Sequence, residues 1–264
     1  MISITTAELN TLLAAFLWPL SRILAMVATA PIFGNPSIPV KVKLGLAVML
    51  TVLVMPVVEK SLPQVDPASG IGLIILLQQV LIGVAIGFVM RIVFVAVETA
   101  GELIGLQMGL GFAVFFDPHS GQIDIIGRFL GVIASLAFLA MDGHLMMIAL
   151  ISQSFSTLPV GSDGITNVTF TTLANWGGEI FKSGLQLSLP VLTALLITNL
   201  ALGILTRVAP QLNIFAVGFP LTLSIGLFVL AFSMPFYTPI LEYLVHDALN
   251  LMMGILNINQ IDMP

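Results

Sequence analysis

Residues 71–105 read IGLIILLQQVLIGVAIGFVMRIVFVAVETAGELIG. Between Ile71 and Val97 only Gln78, Gln79 and Arg91 break an apolar run. At a rise of ~1.5 Å per residue, ~20 residues cross a hydrocarbon core ~30 Å thick. The run is therefore long enough for a membrane-type helix. Glu98 to Glu102 then interrupts it, and a shorter apolar run, Leu103–Phe116, follows. Arg91, Glu98 and Glu102 fall within about 40° of one another on a helical wheel, so they share one face. Glu98 and Glu102 alone would repel across one turn, and unpaired charge is costly to bury. The stripe reads either as an inter-subunit contact or pore-facing line, or as a helix end whose carboxylates are solvated. Gly101, Gly105 and Gly109 are spaced for close approach of a second helix, and Gly83 and Gly87 form a weaker instance of the same pattern.

The whole chain carries the same signature. It has 264 residues, of which 58% are hydrophobic and only 8% charged, against about 25% charged in soluble proteins. Mean hydropathy is +1.12. These values exclude an ordinary water-soluble enzyme and a disordered chain. Eight Lys and Arg against thirteen Asp and Glu exclude a nucleic-acid binder that works by neutralising phosphates. With no cysteine and three histidines, thiolate chemistry is excluded and no zinc spacing is present. No GxxxxGK[ST] phosphate loop occurs, so energy for any work enters through another component. Neither a metal nor an organic cofactor is expected, and the chain is not read as an enzyme.

An apolar run from Leu9 to Phe33 ends near Ala28-Thr29-Ala30, which looks like a signal cleavage site. Glu8 precedes the run, Arg22 lies inside it and Pro31 follows the site, so a retained first helix is expected. Gly34 to Pro39 is rich in turn formers and leads into Lys41 and Lys43, which weakly favour a cytoplasmic loop. Leu44–Val58 is short for a span. Glu59–Gly70 reads as a loop, and Ser152–Asn175 as the longest one. Phe129–Ile151 is a full span broken by Asp142, Gly143 and His144; a short turn is the main reading there and a proton relay the lesser one. Pro190 is expected to kink or end its helix, Pro220, Pro235 and Pro239 to interrupt theirs, and Arg207–Gln211 to separate two helices. Thirteen methionines, with Met146–Met147 and Met252–Met253 adjacent, read as packing. The expected fold is all-α, a polytopic membrane-type helical protein with broken helices.

The most unusual segment is GLGFAVFFDP, residues 109–118. Glycines lead into three phenylalanines and then a turn. It reads either as a short buried helix closing on a turn, or as an apolar loop able to plug a pore by dewetting and steric block.

Trp18-Pro19-Leu20-Ser21-Arg22, Lys41-Val42-Lys43-Leu44-Gly45-Leu46, ETAGELIGLQMGLGFAVFFDP at 98–118 and RVAPQLNIFAVGFPLTLSIG at 207–226 together resemble the FliR family of flagellar biosynthetic proteins. The resemblance runs from the first helix to about residue 250. It implies a core subunit of the protein-conducting export gate of the flagellar type III secretion apparatus, in the bacterial inner membrane at the flagellar basal body. It further implies a FliP-like part over about 1–175, a FliQ-like helical hairpin over about 176–256 and a polar tail at 257–264. The implied hetero-oligomeric partners are FliP, FliQ and FlhB, with FlhA and rod proteins nearby, membrane lipid around, and unfolded flagellar substrates in transit. A plug loop at about 107–121 is carried over, with Met108, Gly109, Gly111, Phe112, Phe115, Phe116, Asp117 and Pro118. Arg91, Glu98 and Glu102 become an inter-subunit polar stripe, and Gly101 and Gly105 a close helix contact. The alternatives are a homologous subunit of a virulence injectisome and a stand-alone secondary transporter. The transporter would need an internal repeat, and none is evident. A membrane enzyme using Asp142 and His144 lacks a supporting carboxylate cluster.

Overall fold

The computed structural model describes residues 6–58, 62–63, 65–112, 124–161, 167–211 and 213–256. The described residues form eight α-helices: α1 Thr6–Thr29, α2 Val40–Val58, α3 Gly70–Gln107, α4 Ile125–Ala140, α5 Gly143–Thr157, α6 Asn167–Trp176, α7 Glu179–Val208 and α8 Ile214–Ile255. A 3-10 turn, Leu110–Phe112, follows α3. No strand occurs among the described residues, so the protein is all-α.

Contacts divide the chain into two compact units. One holds residues 1–92, 142–177 and 245–264, and the other residues 93–141 and 178–244. In the first unit, α1 buries Trp18, Ile23, Met26, Val27 and Ala30 along one face, the spacing of a helical stripe. Opposite that face, a Cβ on Gly83 would collide with the Arg22 carbonyl oxygen, and one on Gly87 with Thr29 Oγ1. The two glycines let α3 run against the backbone of α1. The indole N–H groups of both tryptophans donate to α3: Trp18 to the Gly72 carbonyl at 3.3 Å and Trp176 to the Val89 carbonyl at 3.0 Å. Met147, Met252 and Met253 are buried here, which bears out their reading as packing.

In the second unit the buried line of α3 continues as Val93, Val97, Ala100, Ile104 and Met108. Phe94 meets Phe138 of α4 edge to face, with ring centroids 5.5 Å apart, the arrangement aromatic quadrupoles favour. From α7 come Leu187, Val191 and Leu195, and from α8 Leu230, Tyr237 and Leu241. The Tyr237 hydroxyl donates to the Leu187 carbonyl at 2.9 Å.

Several expected breaks do not occur. α3 is one helix of 38 residues that passes through Glu98–Glu102 without interruption. α7 continues through Pro190, and α8, at 42 residues, through Pro220, Pro235 and Pro239. A proline removes one helical hydrogen bond. The helical turns before and after each proline carry the helix across that one missing bond. The stretch expected as the longest loop is largely helical, since α5 reaches Thr157 and α6 begins at Asn167. α2 begins at Val40, a turn earlier than the apolar run, and so reaches 19 residues. The turn at Gly34–Pro39 and the separation of α7 from α8 are as expected. So is the break between α4 and α5, where Asp142 takes a left-handed φ of 55°.

Among the described residues, five helices are long and apolar enough to cross a membrane, or six spans if the broken α4–α5 pair counts as one. They are covered unequally. Within the most apolar window of each, 67% of residues in α3 are buried but only 22% in α2. α8 leaves Phe228, Phe232, Phe236 and Tyr243 largely exposed, and α7 leaves Ile197, Leu200 and Ile204 so.

Candidate functional site

The site begins where α3 ends. The amide of Met108 still donates to Ile104, but the Gly109 amide donates to Leu106 at 3.0 Å, a tighter turn. Gly109 has φ 89°, the left-handed geometry that closes many helices and that glycine adopts without a steric penalty. The 3-10 turn Leu110–Phe112 starts directly after it.

This end is held from α8. Thr222 Oγ1 donates to the Met108 carbonyl at 3.1 Å, in a buried position. Met108 is fully buried, and a Cβ on Gly226 would sit 2.8 Å from its Cγ. On the far side of residues 113–123, Asp124 caps α4 by accepting the Gly127 amide at 2.7 Å. A side-chain oxygen there satisfies one of the unpaired amides of a helix start. Gly127 in turn lies against Gly101, where an added Cβ would strike the Gly127 backbone. Both ends of the segment are thus fixed to α3, α4 and α8 by contacts that need small residues or one hydroxyl.

Met108, Gly109 and Gly111 of the expected plug belong to this anchored end, and Phe112 closes the 3-10 turn. Phe115, Phe116, Asp117 and Pro118 lie outside the described residues. The three glycines of the GxxxGxxxG pattern do different things. Gly101 makes a backbone-to-backbone approach, Gly105 only an ordinary contact 3.7 Å from Ile126, and Gly109 ends the helix. Arg91, Glu98 and Glu102 are all exposed on α3, and Glu98 also lies along Gly131 of α4.

Residues 13–248 match the family described as bacterial export proteins, family 1. The flagellar biosynthetic protein FliR of Pectobacterium carotovorum subsp. carotovorum is 46% identical over 257 residues, which cover 97% of this chain and 98% of that protein. That of Escherichia coli (strain K12) is 45% identical over 260 residues, with 97% and 98% covered. The chain belongs to the FliR family of bacterial export proteins. A more distant FliR, from Bacillus subtilis (strain 168), is 31% identical over 228 residues and covers 84% of this chain.

Within this FliR-family chain a second polar cluster went unnoticed in the sequence. Arg22, on α1, is fully buried. Its Nε donates to Gln79 Oε1 at 2.8 Å, Nη1 to the Ser154 carbonyl and hydroxyl at 3.0 Å each, and Nη2 to the Leu158 carbonyl at 2.9 Å. Its Cζ lies 4.2 Å from the ring centroid of Phe155. These acceptors are neutral. The positive charge is balanced by the carbonyl end of α5, which carries the negative pole of the helix dipole, and by the aromatic face. The signal was present in the sequence: an Arg and a Gln inside apolar spans each require a partner. Lys43 likewise has a local role, since its Nζ donates to the Gly34 carbonyl at 2.9 Å and closes the turn between α1 and α2. No group of three or more metal-ligating side chains occurs among the described residues.

Proposed function

We propose that this chain is a structural and gating subunit of the protein-conducting channel through which the flagellar type III apparatus exports its axial proteins across the bacterial inner membrane. The observation that carries the reading is full-length similarity to proteins named flagellar biosynthetic protein FliR. In this reading the chain assembles at the basal body with FliP, FliQ and FlhB. Its FliP-like part covers about 1–175 and its FliQ-like hairpin about 176–256. Unfolded substrates pass by, and the chain performs no catalysis itself.

Helix length supports an assembly in which protein as well as lipid covers the apolar surface. The 38 residues of α3 and 42 of α8 amount to about 57 and 63 Å at ~1.5 Å per residue. A ~30 Å core would accommodate them only at a tilt near 60°, beyond the usual range of about 0–40°. The exposed aromatic line on α8 requires an apolar neighbour along the same length. Residues 107–121 act as the plug, with Phe112, Phe115 and Phe116 as its apolar bulk. The anchored ends described above support this, because a segment that blocks a pore needs fixed points of attachment. Arg91, Glu98 and Glu102 form a contact with another subunit.

Deletion of residues 110–116 tests the gate. The complex is expected to assemble and to conduct small ions at rest. Unchanged membrane conductance in an assembled deletion complex would remove the plug. The mass of the complex purified through a tag on this chain tests the assembly, and a stable, transport-competent monomer in liposomes would replace it with a secondary transporter.

A further inference from the structure

We infer that Thr222 and Gly226 of α8 are positioning residues that clamp the end of α3 and set where Leu110 and Gly111 stand. This deepens the gate reading and rests on it for its consequence, but the clamp itself is built only of described residues.

Three observations carry it. The first is the hydroxyl of Thr222. It has one proton and two carbonyls in reach, Met108 at 3.1 Å and Phe219, one turn back on its own helix, at 3.1 Å. The bond to Phe219 is the ordinary local one available to any helical Thr. The bond to Met108 adds a tertiary tie to a carbonyl just past the last residue of α3, where the helix offers no further turn. The second is the fit of Met108 over Gly226. Met108 is fully buried, and a Cβ on Gly226 would lie 2.5 Å from its Cε and 3.2 Å from its Sδ. A Cβ at 226 would therefore force the buried methionine side chain to shift, while the helix itself gains nothing from glycine there. The third is the position of Gly109. Its left-handed φ of 89° follows Met108 directly, so the chain direction changes immediately beyond the clamped residue. Small displacements of Met108 are carried into the position of Leu110, which packs 3.8 Å from the Gly105 Cβ position.

Thr222 and Gly226 are separated by one helical turn and belong to one buried stripe of α8 that continues through Leu230 and Ser233. The stripe fixes the clamp to the body of the second unit. The clamp thus acts through geometry, at the start of the segment.

The chain has no cysteine, so single cysteines report cleanly in the assembled export complex. Leu110→Cys is labelled with a maleimide, alone and together with Thr222→Val or Gly226→Ala; Leu106→Cys, on the last turn of α3, is the reference. Thr222→Val is expected to raise the Leu110→Cys rate about five-fold, the factor for one lost buried hydrogen bond; Gly226→Ala is expected to raise it by displacing Met108, and both are expected to leave Leu106→Cys unchanged. Thr222→Ser, which keeps the hydroxyl, is expected to label at the parent rate. Adding Met108→Ala to Gly226→Ala is expected to lower the rate again, because the shortened side chain makes room for the new Cβ. Unchanged labelling at 110, an equal rise at 106, or no relief in the double variant would overturn the clamp. The gate reading fails separately: if the 110–116 deletion does not conduct ions while the labelling result holds, the clamp stands without a role in gating.

Discussion

The buried guanidinium of Arg22 donates from Nε to Gln79 Oε1 at 2.8 Å, joining α1 to α3 across 57 residues of sequence. The same group closes the carbonyl end of α5 through Ser154 and Leu158. One side chain thereby ties three helices of the first unit. Replacing Gln79 with Leu leaves a charged donor buried without its acceptor, which costs about 1.5–3 kcal/mol. Arg22→Lys keeps the charge but loses the planar fork and is expected to cost about as much. Thermal unfolding of the purified complex measures both. A melting temperature unchanged in Gln79→Leu would show that the pair contributes nothing to stability.

The glycines divide into two groups with opposite expectations. Gly83→Ala and Gly87→Ala force α3 away from the backbone of α1 and are expected to cost about 1–3 kcal/mol by overpacking. Gly45 and Gly203 have open space around the Cβ position. Alanine there should stabilise the chain by up to about 1 kcal/mol through helix propensity. The four variants are compared by unfolding in the same detergent. If Gly203→Ala stabilises the isolated chain yet reduces co-purification of other subunits, that face of α7 lies against a partner.

Asp142 holds a left-handed φ of 55° between α4 and α5. Asp tolerates this conformation, glycine adopts it freely and β-branched residues resist it. Asp142→Gly is expected to leave export near the parental level, and Asp142→Val to cost about 1–2 kcal/mol in stability. Swimming motility and unfolding measurements together check this. Loss of export in a stably folded Asp142→Gly complex would instead give the carboxylate a chemical role.

The polar stripe gives a further prediction. Arg91→Ala or Glu98→Ala is expected to weaken association with partner subunits while the chain itself remains folded, because both side chains are exposed on α3. Each loses a charge-assisted contact of about 1.5–3 kcal/mol if the partner group is buried. Quantitative co-purification through a tag on this chain measures the effect. Parental yields of partner subunits for both variants would return the stripe to solvent.

Local chemistry made much of the architecture legible. The turn at 34–39, the loop after Val58, the break at Asp142–Gly143 and the gap after Val208 are written in Gly, Pro, Asn and Asp, whose preferences act over a few residues. The site was legible in part. Gly109, Gly111 and the phenylalanines draw attention by themselves, but Thr222 and Gly226 do not. A single Thr and a single Gly in an apolar helix have no local signature, and their partner Met108 lies 114 residues from Thr222.

The low charge and the apolar runs by themselves determine that the protein is all-helical and keeps most of its surface from water, because only helices satisfy so much backbone within apolar segments of this length. Tertiary structure alone decides which interruptions take effect. Pro190, Pro220, Pro235 and Pro239 each carry a local penalty of about 3 kcal/mol or more, and the Glu98–Glu102 pair a smaller one. The helices run through all of these positions all the same. At Asp142 the local preference prevails, and a left-handed φ of 55° stands where one helix ends and the next begins. The same holds for the glycines: spacing offers several close approaches, and the neighbouring backbone selects Gly83, Gly87 and Gly101 to make them.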